Sequence, residues 1–252
     1  MSTTDDEAVL EAERRWGRVA GVAALLSIAA TIATVAVASS ASGNSALPQG
    51  PPGLSEEVID RAKLLVDFRN NETELAISSG LRCVGLLLMI VIGVYLYRLT
   101  RTRDEEAVKP VVLYLTFVAP ILIVISTVIG FVAFGNVADE LVASGPRTID
   151  RAKQLIDDSG GLSVARVGDK VTRVVAAIWL ALLATSAMRV GLLTRFLGYW
   201  GVAGAACLVL LPIGDAMLAG WIGSMGILAL GFWPGGRPLA WDSTEPQEIE
   251  AI

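Results

Sequence analysis

The sequence predicts an all-α integral membrane protein with six transmembrane helices. Three observations indicate this: 54% apolar residues with a mean hydropathy of +0.61, several long runs without a charge, and a pentapeptide that occurs twice. A soluble domain of this length would need more polar surface. We expect a tandem duplication, each copy being a transmembrane helix, an outer amphipathic helix and a second transmembrane helix. A Gly-rich transmembrane hairpin follows the second copy.

Six apolar runs define the predicted transmembrane helices, because about 20 apolar residues cross a hydrocarbon core of about 30 Å. The runs are residues 19–38, 84–97, 110–134, 174–188, 196–211 and 213–233. The second run can begin at Leu81 if the Arg82 guanidinium snorkels outward. Asp215 is the one charged residue in the last two runs.

The duplication rests on the pentapeptide IDRAK, which occupies residues 59–63 and again residues 149–153. Further identical pairs follow: Leu65 with Leu155, Asp67 with Asp157, Arg82 with Arg173 and Arg98 with Arg189. Both copies cross the membrane twice, so we expect a parallel two-fold relation along the membrane normal. The predicted segments are an acidic tail at 1–15, copy 1 at 16–99, copy 2 at 108–190, the hairpin at 196–233 and an acidic cytoplasmic tail at 234–252.

The polar stretch between the paired spans of each copy is predicted to form an amphipathic helix outside the membrane. Ser55 is a plausible N-cap in copy 1; in copy 2 Pro146 suits the first turn and Gly160 can end the helix. The charged residues of both pentapeptides are our candidate partner surface: Asp60, Arg61, Lys63, Asp150, Arg151 and Lys153. The alternative for these residues is a solvated helix face with local ion pairs.

Both termini are expected in the cytoplasm, since basic residues are dense between Arg98 and Lys109 and absent from the opposite turn at 212–214. The acidic tails are expected to be solvated. Arg14 and Arg15 before an apolar run also fit a signal peptide cleaved after Ala38. An uncleaved helix is favoured, because the run exceeds the usual signal core of about 7–15 residues and aligns with an internal span.

The composition excludes several classes of function. The chain has no histidine, which excludes His-ligated haem, HExxH zinc proteases and a histidine general base. Cys83 and Cys207 are expected to be packing residues rather than a disulfide. We identify no catalytic, cofactor-binding or metal-ligating residue, and no basic patch that would indicate a nucleic acid partner.

Several short motifs resemble a known group of proteins. They are the segments at residues 96–101, 187–192, 195–198 and 232–241, together with the Gly-rich hairpin. The sequence is similar, from about Trp16 to Trp241, to a family of uncharacterised multi-helix membrane proteins of actinobacteria. That resemblance implies a bacterial plasma membrane location and brings no activity or site residue.

The favoured function is a non-enzymatic structural or regulatory membrane protein that binds a partner, either another membrane or extracytoplasmic protein or a second copy of itself. The alternative is a small-solute transporter or channel, and an intramembrane enzyme is a third hypothesis. The lipid bilayer is a partner in every case. A polar cavity lined by hydroxyl residues of the spans would favour a solute pathway. The candidates are Thr31, Thr34, Ser126, Thr127, Thr185 and Ser186.

Overall fold

The computed structural model describes residues 3–41, 65, 68–143 and 149–247. Within these ranges the chain forms α-helices and one short 3-10 helix, Leu239–Asp242, and no strand. The helices are α1 Thr3–Ala41, α2 Glu72–Arg103, α3 Pro110–Ala143, α4 Ile149–Asp158, α5 Gly160–Arg189, α6 Arg195–Leu210 and α7 Gly214–Leu230. The prediction of an all-helical protein is therefore confirmed.

Helices α1, α2, α3 and α5 are long and apolar enough to cross a membrane, which indicates a membrane protein. Helix α3 shows why the chain needs lipid: large apolar side chains such as Tyr114, Ile125 and Val132 are 70%, 48% and 54% exposed. Helices α6 and α7 have 16 and 17 residues. They therefore extend roughly 24–26 Å, somewhat less than the hydrocarbon core.

Two predicted boundaries are wrong for local reasons. Gly160 begins α5 instead of ending α4, because the Ser159 hydroxyl accepts the backbone N–H of Leu162 at 3.2 Å and caps the new helix. Helix α5 thus begins well before the apolar run at 174–188. The amphipathic helix predicted for copy 1, including Ser55, and Pro146 of copy 2 lie outside the described residues.

The chain divides into two compact units, each with its own apolar core. The first is formed by Met1–Ala29, Val84–Ile123 and Val171–Ile252, and the second by Ala30–Cys83 and Val124–Lys170. The core of the first unit surrounds Trp179 and Trp221, whose exposed fractions are 1% and 0%. Each indole N–H has a partner at 3.0 Å: Trp179 donates to the Thr116 hydroxyl and Trp221 to the Leu197 carbonyl. Both bulky rings are thus buried without an unsatisfied donor.

A buried arginine links three segments of the first unit. The Arg103 side chain, at the end of α2, is 0% exposed, and its two terminal nitrogens lie 3.2 and 3.0 Å from the Glu13 carboxylate oxygens of α1. The same guanidinium donates to the Ala240 carbonyl at 2.6 Å and to the Leu99 carbonyl at 2.8 Å. Arg103 therefore holds the start of α1 and the C-terminal segment against the end of α2.

Aromatic side chains surround this ion pair. The Tyr95 hydroxyl donates to the Glu13 carbonyl at 3.1 Å, and the Trp241 indole donates to the Leu192 carbonyl at 2.8 Å. The rings of Tyr95 and Trp241 lie 6.1 Å apart, and the Arg237 guanidinium lies 5.4 Å from the Trp241 ring centre. These contacts bury the Arg103 guanidinium, and its low-dielectric surroundings strengthen its attraction to Glu13.

The described parts of the acidic terminal segments make contacts with the rest of the first unit, although most of their acidic side chains are exposed. Helix α1 begins at Thr3 and includes the acidic residues that follow it. Asp242 accepts from Arg14 at 3.0 Å, and Asp6 accepts from the Thr244 hydroxyl at 3.2 Å. Composition alone does not indicate these contacts: Glu13 forms an ion pair with the buried Arg103, and Trp241 lies in the apolar core.

We predict opposite effects for two glycines of α6. A β-carbon on Gly201 would lie 2.6 Å from the Ala184 β-carbon and 2.8 Å from the Trp221 indole nitrogen, whereas one on Gly204 would lie 3.6 Å from its nearest neighbour. Gly201→Ala should lower the free energy of unfolding by about 1–3 kcal/mol through overpacking. Gly204→Ala should change it little or raise it by up to about 1 kcal/mol through helix propensity. The free energy of unfolding of each variant is measured in detergent micelles. Equal values for the two variants would contradict the tighter packing around Gly201.

We also predict that Arg103→Leu lowers the free energy of unfolding by about 3–5 kcal/mol, because it leaves the Glu13 carboxylate buried without a partner. The double variant Arg103→Leu/Glu13→Leu should recover part of that loss. Arg101→Leu is the matched control: its ion pair with Glu105 is exposed, so near wild-type stability is expected. Arg103 and Glu13 would not be coupled if the double variant lost as much stability as the sum of the losses in Arg103→Leu and Glu13→Leu measured separately.

Candidate functional site: a cavity in the second compact unit

The predicted partner surface is described in part. Asp60, Arg61 and Lys63 lie outside the described residues. Asp150, Arg151 and Lys153 lie in the first half of α4, as expected for an amphipathic helix. Asp60, Arg61 and Lys63 therefore remain a prediction from the sequence.

The apolar side of α4 faces the core of the second unit. Ala152, Leu155 and Ile156 are at most 7% exposed and pack in one cluster with Leu65, Phe68 and residues of α3. The α3 residues are Val137, Ala138 and Leu141. Helix α4 is thus fixed by burial of its apolar stripe, which leaves its polar side for other contacts.

The charged residues of α4 differ in their contacts. Arg151 donates to the Gln154 amide oxygen at 3.0 Å and lies 3.7 Å from the Glu140 carboxylate. Asp150 and Lys153 are exposed and have no ion-pair partner in the described part of the chain. Arg151 therefore has a structural role, whereas Asp150 and Lys153 are free to meet another molecule.

An open cavity of about 380 Å³, lined by both apolar and polar side chains, lies in the second unit. Helix α2 contributes Arg82, and α4 contributes Ile156. Helices α3 and α5 form most of the wall, through Ser126, Thr127, Gly130, Phe134, Leu162, Ala165, Arg166 and Asp169. The residues from α5 recur at intervals of three and four, so they share one helix face.

Small residues hold α3 close to α5 beside this cavity. A β-carbon added to the glycine of each of three facing pairs would lie 3.2 to 3.9 Å from the partner side chain. The pairs are Ser126 with Gly168, Gly130 with Ala165, and Ala133 with Gly161. Along these pairs the residue numbers rise in α3 and fall in α5, as expected for antiparallel helices. Such close packing is typical of membrane helices and places the Ser126 hydroxyl at the α5 backbone.

The cavity contains two arginines without a counter-charge. Arg82 is partly buried and Arg166 is exposed, and neither has an ion-pair or hydrogen-bond partner among residues that the structure describes. Asp169 also lines the cavity, but it makes an interaction of its own. A partly buried guanidinium without a partner carries a desolvation cost that an anion would offset.

The Ser126 hydroxyl is also available. Other buried or partly buried hydroxyls donate to the carbonyl one turn earlier: Thr34 to Ala30, Thr116 to Val112 and Thr185 to Ala181, at 2.7 to 2.8 Å. Ser126 makes no such bond within the described ranges. Its donor and acceptor are therefore left for a molecule in the cavity.

Sequence reasoning found part of this site. Ser126 and Thr127 line the cavity, but Thr31, Thr34, Thr185 and Ser186 do not. Arg82 was expected to snorkel toward the interface, and Arg166 and Asp169 were not recognised. The sequence signal for these residues is their helical spacing, since Leu162, Ala165, Arg166 and Asp169 recur at intervals that share one helix face.

Comparison with known proteins gives one match. The family described as "Domain of unknown function (DUF4386)" matches residues 19–233 of the chain. This agrees with the uncharacterised family that the motifs suggested, while an actinobacterial source stays a prediction. No curated protein and no solved structure is detectably similar to the chain.

Proposed function

The chain belongs to the DUF4386 family, and we propose that it is a non-enzymatic, multi-pass plasma membrane protein that binds a small polar ligand in the cavity of its second compact unit. The observation that carries the proposal is the group of Arg82, Arg166 and Ser126 around one cavity, none of which has a partner among the residues that the structure describes. This favours the solute hypothesis over a scaffold, since a scaffold gains stability from paired polar groups and loses it from unpaired ones.

The proposed duplication strengthens this argument. The matched residues of the two copies differ by 90 positions up to the pentapeptide and by 91 from Arg82 and Arg173 onward. In this alignment Ser126 and Thr127 of copy 2 correspond to Ala36 and Val37 of copy 1, and Arg166 corresponds to Leu75. Packing shared by both copies therefore does not require polar side chains at these positions. Their presence in copy 2 alone is better explained by a ligand.

The proposed architecture is six membrane segments in two parallel copies and a hairpin, with both termini in the cytoplasm. Burial of the matched residues Leu65 and Leu155 in one cluster supports the duplication. The contacts of Arg14 with Asp242 and of Asp6 with Thr244 support termini on the same side of the membrane, which an even number of crossings requires. The basic turn that contains Arg101 supports the cytoplasmic side.

We predict that filling the cavity abolishes ligand binding without unfolding the protein. Gly130→Leu adds a side chain inside the cavity, and its β-carbon has only the Ala165 β-carbon within 4 Å, at 3.9 Å. The matched control is Gly80→Leu, in the same unit, whose β-carbon would have no neighbour within 4 Å. Each protein is heated in mild detergent with phosphate, glutamate, glycine, glucose or dioctanoyl phosphatidylglycerol.

At least one of these ligands should raise the unfolding temperature of the wild type and of Gly80→Leu, and leave that of Gly130→Leu unchanged. If no ligand stabilises the wild type, or if Gly130→Leu responds equally, the cavity is not a binding site.

A second candidate function is partner binding through the polar face of α4, favoured by exposure of Asp150 and Lys153. We predict that replacing Asp60, Arg61, Lys63, Asp150, Arg151 and Lys153 with Ser or Gln reduces the size of the detergent-solubilised complex at unchanged membrane abundance. The variant Asp150→Ser/Lys153→Gln leaves the Arg151 contacts intact and separates binding from folding. Normal complex size at normal abundance would exclude the partner role, and reduced abundance alone would assign the charges to folding.

A further inference from the structure

We infer that the cavity of the second compact unit binds a phosphate group, held by the guanidinium groups of Arg82 and Arg166 and by the Ser126 hydroxyl. This inference rests on the proposed function and specifies its ligand class. The group has two sources: a soluble phosphate compound, which carries up to two negative charges, and the phosphodiester of a phospholipid headgroup, which carries one.

The charge of the cavity indicates an anion. The partly buried Arg237 donates to the Leu228 and Ala229 carbonyls. The other partly or fully buried arginines of the described residues outside the cavity have carboxylate partners: Arg103 with Glu13, Arg151 with Glu140 and Arg173 with Asp215. Arg82 is partly buried and has none in the described part of the chain. Since Asp169 is the one acidic residue of the lining, Arg82 and Arg166 leave the cavity with a net positive charge. An anion would supply the counter-charge that the chain supplies at the other three arginines.

The number of donors favours phosphate over a carboxylate. One guanidinium can satisfy both oxygens of a carboxylate through a two-pronged contact. A second guanidinium and a free hydroxyl match a group with more oxygens and up to two negative charges. Phosphate has both properties, and arginine is well suited to bind it.

The location is compatible with both sources of phosphate. Arg82, Ser126 and Arg166 belong to the candidate membrane spans α2, α3 and α5. Arg166 is exposed, so the rim of the cavity is accessible from outside the protein. A soluble phosphate can enter from water, and a headgroup can enter while its acyl chains stay along the apolar helices.

The test measures binding to the full chain in mild detergent by thermal unfolding and calorimetric titration. The first arm compares sodium phosphate with sodium chloride at equal ionic strength. The second compares dioctanoyl phosphatidylglycerol with dioctanoyl glycerol, which lacks the phosphate. The variants are Arg82→Gln, Arg166→Gln and Ser126→Ala. Arg195→Gln is the control, an exposed arginine at the start of α6, outside the cavity.

We expect phosphate or the phospholipid to bind the wild type and Arg195→Gln equally. Affinity should fall by about tenfold or more in Arg82→Gln and Arg166→Gln, because each removes charged hydrogen bonds, and by a smaller factor in Ser126→Ala. Binding in the first arm identifies a soluble phosphate. Binding in the second arm alone identifies a headgroup. Arg166 is exposed, so Arg166→Gln keeps the test valid if Arg82→Gln does not fold.

The inference is overturned if neither phosphate source binds the wild type, or if binding is unchanged in both arginine variants. Glucose or glycine binding that is lost in Gly130→Leu but kept in both arginine variants would overturn the phosphate assignment and leave the proposed function intact. If none of these probes binds, both proposals fail together.

Discussion

The guanidinium of Arg103 is fully buried, and the first compact unit is organised by the need to satisfy it. Its partners come from three separate segments: the Glu13 carboxylate of α1, the Leu99 carbonyl of α2 and the Ala240 carbonyl near the C-terminus. Loss of any partner leaves charge or N–H groups exposed to an apolar environment, where the cost is high. One side chain thus explains why two acidic terminal segments pack against the helices instead of extending into solvent.

The second compact unit contains both paired arginines and arginines without a carboxylate partner among the described residues. Arg69 and Arg151 lie near acidic residues at the end of α3, Asp139 and Glu140, but Arg82 and Arg166 have no carboxylate within the described residues. A charge that is paired inside the chain contributes to folding. A charge without a partner at a cavity can be neutralised by a bound anion, and this is the basis of the proposed ligand site.

Local sequence patterns predicted the helices well and the polar contacts poorly. Charge-free runs identified the apolar helices, and the absence of paired cysteines agrees with the structure, where Cys83 and Cys207 are free. Ser126 and Thr127 could be named in advance, because hydroxyls are conspicuous in an apolar span. Arg166 could not, because a basic residue in a polar stretch looks like solvated surface until the facing helices are known.

The sequence by itself determined that this chain is helical and apolar enough for a membrane, because helix formation and lipid exposure depend on residues three or four positions apart. Tertiary structure alone decided which polar groups have partners. Glu13 reaches Arg103 across 90 positions, and Arg103 reaches Ala240 across 137. The cavity likewise needs α2, α3, α4 and α5 together. No local period encodes such distances, so the paired and unpaired arginines became distinguishable only once the helices were packed.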